Sequence, residues 1–305
     1  MALTLIQMQA QYPDPLRQGV VDMLRESSRV MDRLHFISHP GLDYRYNKRS
    51  ALPGVAFRGL NEDYTATAGV VSPAVESLAI LGGKIKTDHV AISLKGDQAR
   101  SNEIAAQMEA AGKFFDKQFF NGDTSTSVKG FDGLKARLTG DQLVTQATNG
   151  ATPTWEKVIE LQDQVEGPNS EKTLFMNQTT RRNLVNDILA ETKDSVKAML
   201  EMRSGVYYFN GSEIVEVFYD ETETAILAFD ETCGSSSVCS SMYCVRFGGA
   251  VDERYVQGIA GMNANIEHRG PIEYGTYVED VIEMVGGVGI FSGYGAARLQ
   301  GLKAS

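Results

Sequence analysis

Three groups of side chains in this sequence are of types that can perform chemistry: a cysteine trio, a histidine pair and an acidic cluster. Cys233, Cys239 and Cys244 lie close together without a nearby histidine, so zinc coordination is not indicated. An odd number of cysteines fits reduced thiols better than a disulfide framework. His35 and His39 have the spacing that puts two imidazoles on one helix face, but a proline directly after His39 ends any helix there. We therefore expect a solvated turn at this pair rather than a metal site.

The acidic cluster and the glycine-rich motifs also fail to assemble a reactive site. Asp220, Glu221 and Glu223 could bind a hard cation, although a solvated turn explains the same residues. GGVGIFSG, from Gly286, lacks the Lys-Ser/Thr ending and the βαβ unit of nucleotide-binding loops, and no Gly-x-Ser-x-Gly motif is present. The sequence thus predicts no catalytic, cofactor-binding or metal-binding residue. A metal-dependent cytosolic hydrolase that uses the acidic and histidine groups remains the alternative from the enzyme class.

The composition is that of an ordinary globular protein. Its 305 residues include 42% apolar and 22% charged side chains, and a chain of this length can bury a full core in two domains. The formal net charge of −10 disfavours a surface that grips nucleic-acid phosphates, because such a surface needs clustered Lys and Arg. No run of about eighteen apolar residues occurs, and the start of the sequence lacks the basic and apolar regions of a secretory signal. The composition predicts no contact with a membrane.

The strongest helical signal runs from Asp97, taken as the N-cap, to about Phe120. Gly122 follows and is expected to end the helix in the left-handed conformation. An earlier helix is predicted from an Asp14 N-cap to about Leu34. The long helix carries one apolar stripe with helical spacing, made of Ile104, Met108, Ala111, Phe115 and Phe119.

An extended ribbon is predicted between the two helices. Residues 51–92 are rich in β-forming side chains, and Gly82-Gly83 is the turn signal within them. An isolated two-stranded ribbon is marginal in water because it cannot bury both faces. Another surface must therefore cover it.

Beyond Gly133 the pattern changes to shorter, alternating elements. Thr154 is a candidate cap for one helix, and Asn177 follows a strand and caps a second. The runs EIVEVFY, AILAF and MYCVRF predict three strands, and a glycine-rich strand closes the chain. VEDVIEMV, residues 278–285, fits a strand or a helix by periodicity.

The order of these motifs resembles that of the major capsid proteins of tailed double-stranded DNA bacteriophages, which share the Hong Kong 97 fold. Residues 53–92, PGVAFRGLNEDYTATAGVVSPAVESLAILGGKIKTDHVAI, are similar to that family's E-loop and return strand. FFNGDTSTSVKGFDGL is similar to its "NGD" helix end and the "GL" step into its axial domain. LFMNQTTRRNL, GSEIVEVFY, MYCVRFGG and GIFSGYGAARLQGL are similar to elements of that axial domain. In this order the motifs span essentially the whole chain.

The resemblance implies an α+β fold with an N-arm, an extended β-hairpin E-loop, a spine helix, a peripheral domain and an axial domain. It assigns residues 1–50 to the N-arm and 51–92 to the E-loop. The peripheral domain, with the spine helix, comprises 93–133 and 263–287, and the axial domain comprises 134–262 and 288–305. VEDVIEMV then becomes a long strand of the peripheral domain.

The implied function is structural: copies of the chain assemble into the icosahedral shell that encloses a phage genome, with no enzymatic activity and no cofactor. Encapsulin shells share the fold and are the close alternative. The residues expected to contact a neighbouring subunit are Tyr44, Tyr46, Phe57, Arg58, Asn61, Glu62 and Tyr64. The residues expected to form the spine-helix core and its hinge are Met108, Phe115, Phe119, Gly122 and Gly133, the glycines letting the two domains set different angles in pentamers and hexamers.

The expected partners are other copies of the chain, in hexamers and pentamers, and packaged double-stranded DNA that lies nearby without specific binding. Portal, separate scaffolding, protease and decoration proteins are further expected partners. The expected location is the capsid of the virion, after assembly in the bacterial host cytoplasm.

Overall fold

The computed structural model describes residues 23–24, 26–249, 255–271 and 276–304, so the predicted N-cap Asp14 lies outside the described residues. The described chain has an α+β structure, which confirms the predicted fold class. Within it, no helix combines the length and apolar character needed to cross a membrane.

The secondary structure consists of one long helix, two long strands and many shorter elements. Residues 23–24 and 26–27 are helical. The later helices are α1 (His89–Lys95), α2 (Asp97–Asn121), α3 (Leu134–Arg137), α4 (Trp155–Asp163), α5 (Gln178–Ala190) and α6 (Asp194–Lys197), with 3₁₀ turns at Gly140–Gln142 and Asn169–Glu171. The strands are β1 (Phe36–Ser38), β2 (Asp43–Ala51), β3 (Val70–Ser77), β4 (Ala79–Asp88), β5 (Leu143–Thr145), β6 (Lys172–Met176), β7 (Leu200–Arg203), β8 (Val206–Phe209), β9 (Ser212–Glu216), β10 (Glu231–Cys233), β11 (Ser236–Arg246), β12 (Val256–Pro271), β13 (Tyr277–Ile290) and β14 (Ala296–Leu302).

A four-stranded sheet, here called the peripheral sheet, supports the long helix α2, here called the spine helix. Its strand order is β1-β12-β13-β4, antiparallel except for the parallel β1–β12 pair. The ambiguous run VEDVIEMV lies in β13, as the family resemblance implied. The long strands of this sheet extend beyond the predicted 263–287, because β12 begins at Val256 and β13 ends at Ile290.

The second sheet, here called the axial sheet, has the order β5-β14-β11-β6-β9-β8-β7, with β10 paired to β11. Its central strand β6 is buried along its whole length, as a strand between two neighbours and under helices must be. Asn177 directly follows β6, and its side chain accepts a hydrogen bond from the Thr180 backbone N at 2.7 Å. The predicted strand, cap and helix at this point are confirmed. Thr154 lies at the N-cap position of α4 without a side-chain capping bond.

A two-stranded antiparallel ribbon, β2–β3, projects from the peripheral sheet and carries residues 52–69 at its end. This ribbon with its end is here called the E-loop. Its first strand begins at Asp43, within the segment that the resemblance assigned to the N-arm. Its second strand ends at Ser77, after which β4 joins the peripheral sheet.

Two strand predictions are wrong. Gly82 and Gly83 lie inside β4, where a Cβ on Gly82 would come within 2.4 Å of the Ile282 carbonyl O and one on Gly83 within 2.0 Å of the Gln107 side chain. These glycines permit close packing rather than a turn. AILAF forms no strand and makes one isolated bridge, Tyr219 to Ala225.

The predicted helix boundaries also need correction. The segment after Asp88 is helix α1, capped by the Asp88 side chain, and not a strand. The N-cap of the spine helix is Gly96 rather than Asp97. Gly122 has φ −56°, so it is not a left-handed cap. The first helix ends before Ser28 rather than near Leu34.

Candidate inter-subunit surfaces

The end of the E-loop is the most exposed apolar surface among the described residues. Phe57 and Val55 are fully exposed, and Leu60 is 93% exposed. Residues 52–69 pair with no other strand of the described chain. Large apolar side chains in such a position usually mark a surface that another molecule covers.

The exposed end is nevertheless ordered by its own hydrogen bonds. The Gly59 backbone N donates to the Glu62 carboxylate at 2.8 Å, and Arg58 Nη1 donates to the Glu62 carbonyl O at 2.9 Å. The Arg58 guanidinium also lies 5.4 Å from the centroid of the Tyr64 ring. Asn61 adopts φ 67°, a left-handed conformation that Asn tolerates better than most residues. These contacts hold the tight turn from which Phe57 projects. The turn would therefore lose less conformational entropy on binding than a disordered loop would.

The base of the E-loop is fixed to its own subunit. Tyr44 and Tyr46 make edge-to-face contacts with Phe291, with centroids 5.8 Å and 4.8 Å away. The Tyr46 hydroxyl donates to Glu76 Oε1 at 3.2 Å, and burial together with the Glu76 charge raises the pKa of Tyr46 to about 12. Glu76 also pairs with Arg137 at 2.8 Å. Tyr44 and Tyr46, expected at a subunit contact, thus serve first to anchor the ribbon.

The apolar stripe of the spine helix faces the protein core. Met108, Phe115 and Phe119 are each at most 2% exposed and belong to one cluster with side chains of both sheets. Phe120, which the stripe did not include, is fully buried as well. Gly122 and Gly133 meet at the end of this helix, where the Gly133 backbone N donates to the Gly122 carbonyl O at 2.9 Å.

A buried carboxylate on the spine helix binds the segment that leads in from the N-terminus. Asp116 accepts hydrogen bonds from Ser28 Oγ at 2.5 Å, from the Arg29 backbone N at 2.9 Å and from the Val30 backbone N at 3.2 Å. Burial raises the pKa of Asp116 to about 6, although the hydrogen bonds that the carboxylate accepts act in the opposite direction. Because Asp116 takes the backbone donors of residues 29 and 30, the first helix cannot continue there.

The acidic cluster also has a structural role. Asp220 accepts hydrogen bonds from the backbone N of Thr222 and Thr224 and from Lys117 Nζ at 2.8 Å. Burial alone would raise the pKa of Asp220, but these bonds hold it well below its usual value. The carboxylate therefore closes a turn and ties it to the spine helix.

The described residues contain no group of three or more His, Cys, Asp or Glu that could hold a metal ion. The three cysteines are free and buried, and burial raises the pKa of Cys244 to about 12, so its thiol is not reactive. His39 contacts the Asp43 carbonyl O through Nε2 at 3.0 Å, whereas His35 Nδ1 is buried without a hydrogen-bond partner. Neither group forms the reactive arrangement that its residue types allowed.

An open groove of about 410 Å³ lies between the spine helix, residues 23–29 and the Phe218–Tyr219 segment. Three of its charged groups are engaged: Lys113 pairs with Glu109 at 2.6 Å, and the Arg29 guanidinium lies 5.5 Å from the Phe218 ring centroid. Among its described lining residues no nucleophile is paired with a base, and the groove is an open surface depression.

Comparisons with known proteins agree with this geometry. Residues 13–154 match the family model described as "Major capsid protein GP7". The chain is similar to the structure of the SrpI encapsulin complex from Synechococcus elongatus PCC 7942, with 14% identity, a TM-score of 0.66, and coverage of 90% of this chain and 87% of that one. No curated protein sequence is significantly similar to the chain.

Two capsid structures match over similar lengths. The capsid of an empty GTA particle has 11% identity and a TM-score of 0.63, with 90% of each chain covered. Mycobacterium phage Bobi has 11% identity and a TM-score of 0.59, with 91% of this chain and 89% of that chain covered. At these identities the structures establish the Hong Kong 97 fold alone, and the family match covers residues 13–154, slightly less than half of the chain. The chain therefore has the Hong Kong 97 fold, and over residues 13–154 it is similar to the major capsid protein family.

Proposed function

We propose that copies of this chain form the pentamers and hexamers of a phage capsid that encloses double-stranded DNA, and that the E-loop end is their main adhesive contact. One observation carries this proposal: a preorganised turn, remote from its own core, presents the fully exposed Phe57. The same side chain buried on a neighbouring subunit would stabilise the contact.

The size of that stabilisation follows from the exposed side chains. Burying a fully exposed Phe, Val or Leu is worth about 1.5–3 kcal/mol each. Phe57, Val55 and Leu60 together would therefore contribute about 5–9 kcal/mol per contact before the costs of association. Since each copy would donate one E-loop and receive another, the contact is heterologous and repeats around a ring. Asn61 and Glu62 would then act by shaping the turn.

The proposed relation to DNA is one of proximity. The net charge of −10 supports a container wall that does not hold its contents by phosphate contacts. Assembly in the bacterial cytoplasm, and the participation of portal, scaffolding, protease and decoration proteins, belong to the same proposal.

The test combines two substitutions at the exposed end. Phe57→Ala with Leu60→Ala removes most of the apolar contact, whereas Val128→Ala, an 88% exposed apolar residue elsewhere, is the matched control. We expect the double variant to remain folded by circular dichroism but to elute as subunits or capsomers, while the control forms particles visible by electron microscopy. Normal particles from the double variant would refute the role of the E-loop end.

An encapsulin-type compartment is the second candidate, because one similar structure is an encapsulin shell. The two functions differ in their contents. Particles purified from phage-producing cells would contain nuclease-protected double-stranded DNA if the chain builds a phage capsid. Particles that contain a folded protein cargo and no DNA would favour the compartment.

A further inference from the structure

In the connection between the spine helix and the axial sheet, backbone atoms pack so closely that no side chain fits at its two terminal glycines. Residues 122–133, here called the neck, leave the helix at Gly122 and return to its end at Gly133. A Cβ on Gly133 would lie 2.6 Å from the Gln118 carbonyl O, 2.7 Å from Gly122 N and 2.8 Å from the Phe119 carbonyl O. Real Cβ atoms essentially never come this close, so the glycines are required by close packing.

Hydrogen bonds close the neck at three levels. The Gly133 backbone N donates to the Gly122 carbonyl O at 2.9 Å, and Gln118 Nε2 donates to the Phe131 carbonyl O at 2.7 Å. Within the loop, Asp132 accepts from the backbone N and the hydroxyl of Thr124 at 2.8 and 2.7 Å. A loop bonded in this way is a closed ring rather than a free linker.

Aromatic packing fixes the spine helix against the axial sheet on the two sides of the neck. Phe120, at the end of the spine helix, lies with its ring centroid 5.4 Å from Phe175 and 5.3 Å from Tyr243, both of the axial sheet. All three are fully buried and share one core cluster with Ile282 of the peripheral sheet. A rotation of the helix against the axial sheet would open this continuous core.

The base of the E-loop is joined to the same unit. Arg137, in the short helix that follows the neck, pairs with Glu76 of β3 at 2.8 Å, and both side chains are mostly buried. Asn121, the last residue of the spine helix, donates from Nδ2 to the Ile226 carbonyl O at 2.6 Å. The spine helix, the axial sheet and the E-loop base therefore share contacts around one short segment.

We propose that the neck is a rigid joint, and that the subunit keeps one angle between its peripheral and axial parts in every position of the shell. The inference rests on the proposed assembly into pentamers and hexamers. Subunits in pentamers and hexamers would then differ in conformation at the E-loop end, residues 52–69, and not at the neck. The E-loop end can change its conformation because it has no strand partner in the described chain. It replaces the sequence-based expectation that Gly122 and Gly133 form a hinge.

The first test uses the unassembled subunit and does not depend on shell formation. Gly133→Ala should lower the Tm by roughly 5–10 °C, because backbone atoms must move to admit the methyl group. Gly293→Ala is the matched control, since it lies in the connection from β13 to β14 and no atom lies within 4 Å of its added Cβ. A flexible hinge predicts the opposite, a Tm for Gly133→Ala equal to or above that of the control, because alanine restricts the unfolded chain.

The second test covers the case in which Gly133→Ala does not fold. Residue-resolved hydrogen exchange of the unsubstituted subunit should show the Gly122 and Gly133 amides protected to within about tenfold of amides in the middle of the spine helix. Exchange of these two amides at loop-like rates would overturn the rigid joint.

The third test is a reconstruction of assembled particles. Subunits from pentamers and hexamers should superpose over the spine helix and the axial sheet together, and the differences among the residues described here should be confined to residues 52–69. A rotation of the spine helix about the neck would refute the proposal even though shells form. Failure to form shells would refute the proposed function and leave the first two tests decisive for the neck.

Discussion

Removal of the Phe120 ring tests whether the end of the spine helix is part of the axial core. The side chain is fully buried, and its ring centroid lies 5.0 Å from Phe119, 5.4 Å from Phe175 and 5.3 Å from Tyr243. Phe120→Ala deletes the ring at the centre of this aromatic group. The neighbouring side chains come from a helix and from two strands, so no single element can move to fill the space.

The expected loss of stability follows from this environment. A fully buried Phe→Ala change costs about 3–5 kcal/mol, and the cost is highest where the cavity cannot collapse. Favourable aromatic pairs add about 0.5–1.5 kcal/mol each beyond the buried area. We therefore expect the free energy of unfolding to fall by about 4–5 kcal/mol, near the upper end of the range.

The measurement is urea unfolding of the dissociated subunit, followed by tryptophan fluorescence and circular dichroism. Phe114→Ala on the same helix is the control, because Phe114 is 39% exposed and its loss should cost about 1 kcal/mol. The reasoning would be refuted if the two variants differed by less than about 1 kcal/mol. That result would mean that the helix end is not packed into the axial sheet.

Two further predictions concern buried polar groups. Because the pKa of Asp116 in the folded chain is raised from 3.8 to about 6, the folded state holds its proton more tightly, so stability falls as pH rises from about 4 to 6. Relative to Asp116→Asn, the unfolding free energy of the unsubstituted subunit should drop by about 2 kcal/mol across this interval; parallel pH profiles would contradict the assignment. Asn177→Ala removes the cap of α5 and the bond from Nδ2 to the Leu227 carbonyl O at 2.8 Å, for a loss of about 2–3 kcal/mol by chemical denaturation. Asn177→Ser keeps a capping oxygen without placing a second acceptor against the Leu227 carbonyl O and should recover about half of that loss, and a Ser variant as unstable as the Ala variant would show that the cap contributes nothing.

The sequence predicted elements wherever one local rule was enough. The stripe of Met108, Phe115 and Phe119 predicted the spine helix because helical spacing alone selects a buried face. Asn177 predicted its helix because a cap acts on residues that are adjacent in the chain. Local rules failed at Gly82-Gly83, where Gly82 is required by the approach of the β13 backbone, a strand that lies far away in sequence.

The role of the candidate groups could be predicted only in part for the same reason. The carboxylates Asp116 and Asp220 look alike in sequence, but the first binds the N-terminal segment and the second closes a turn against Lys117. The donors of Asp116 lie 86 to 88 positions away in the sequence, and Asp220 combines the local donors Thr222 and Thr224 with Lys117, 103 positions away on the spine helix. No spacing pattern carries that information.

The sequence by itself determined the order of elements, the absence of a recognisable reactive motif and the resemblance to capsid proteins, because these depend on residue types and their local spacing. Only the tertiary structure decided that the E-loop base is anchored to its own subunit while its end is exposed, and that Gly122 and Gly133 close a packed neck. The physical reason is that exposure and steric contact are properties of segments brought together from distant parts of the chain. The sequence does not distinguish a glycine that permits backbone rotation from a glycine that permits close packing, because the difference lies in the atoms that surround it.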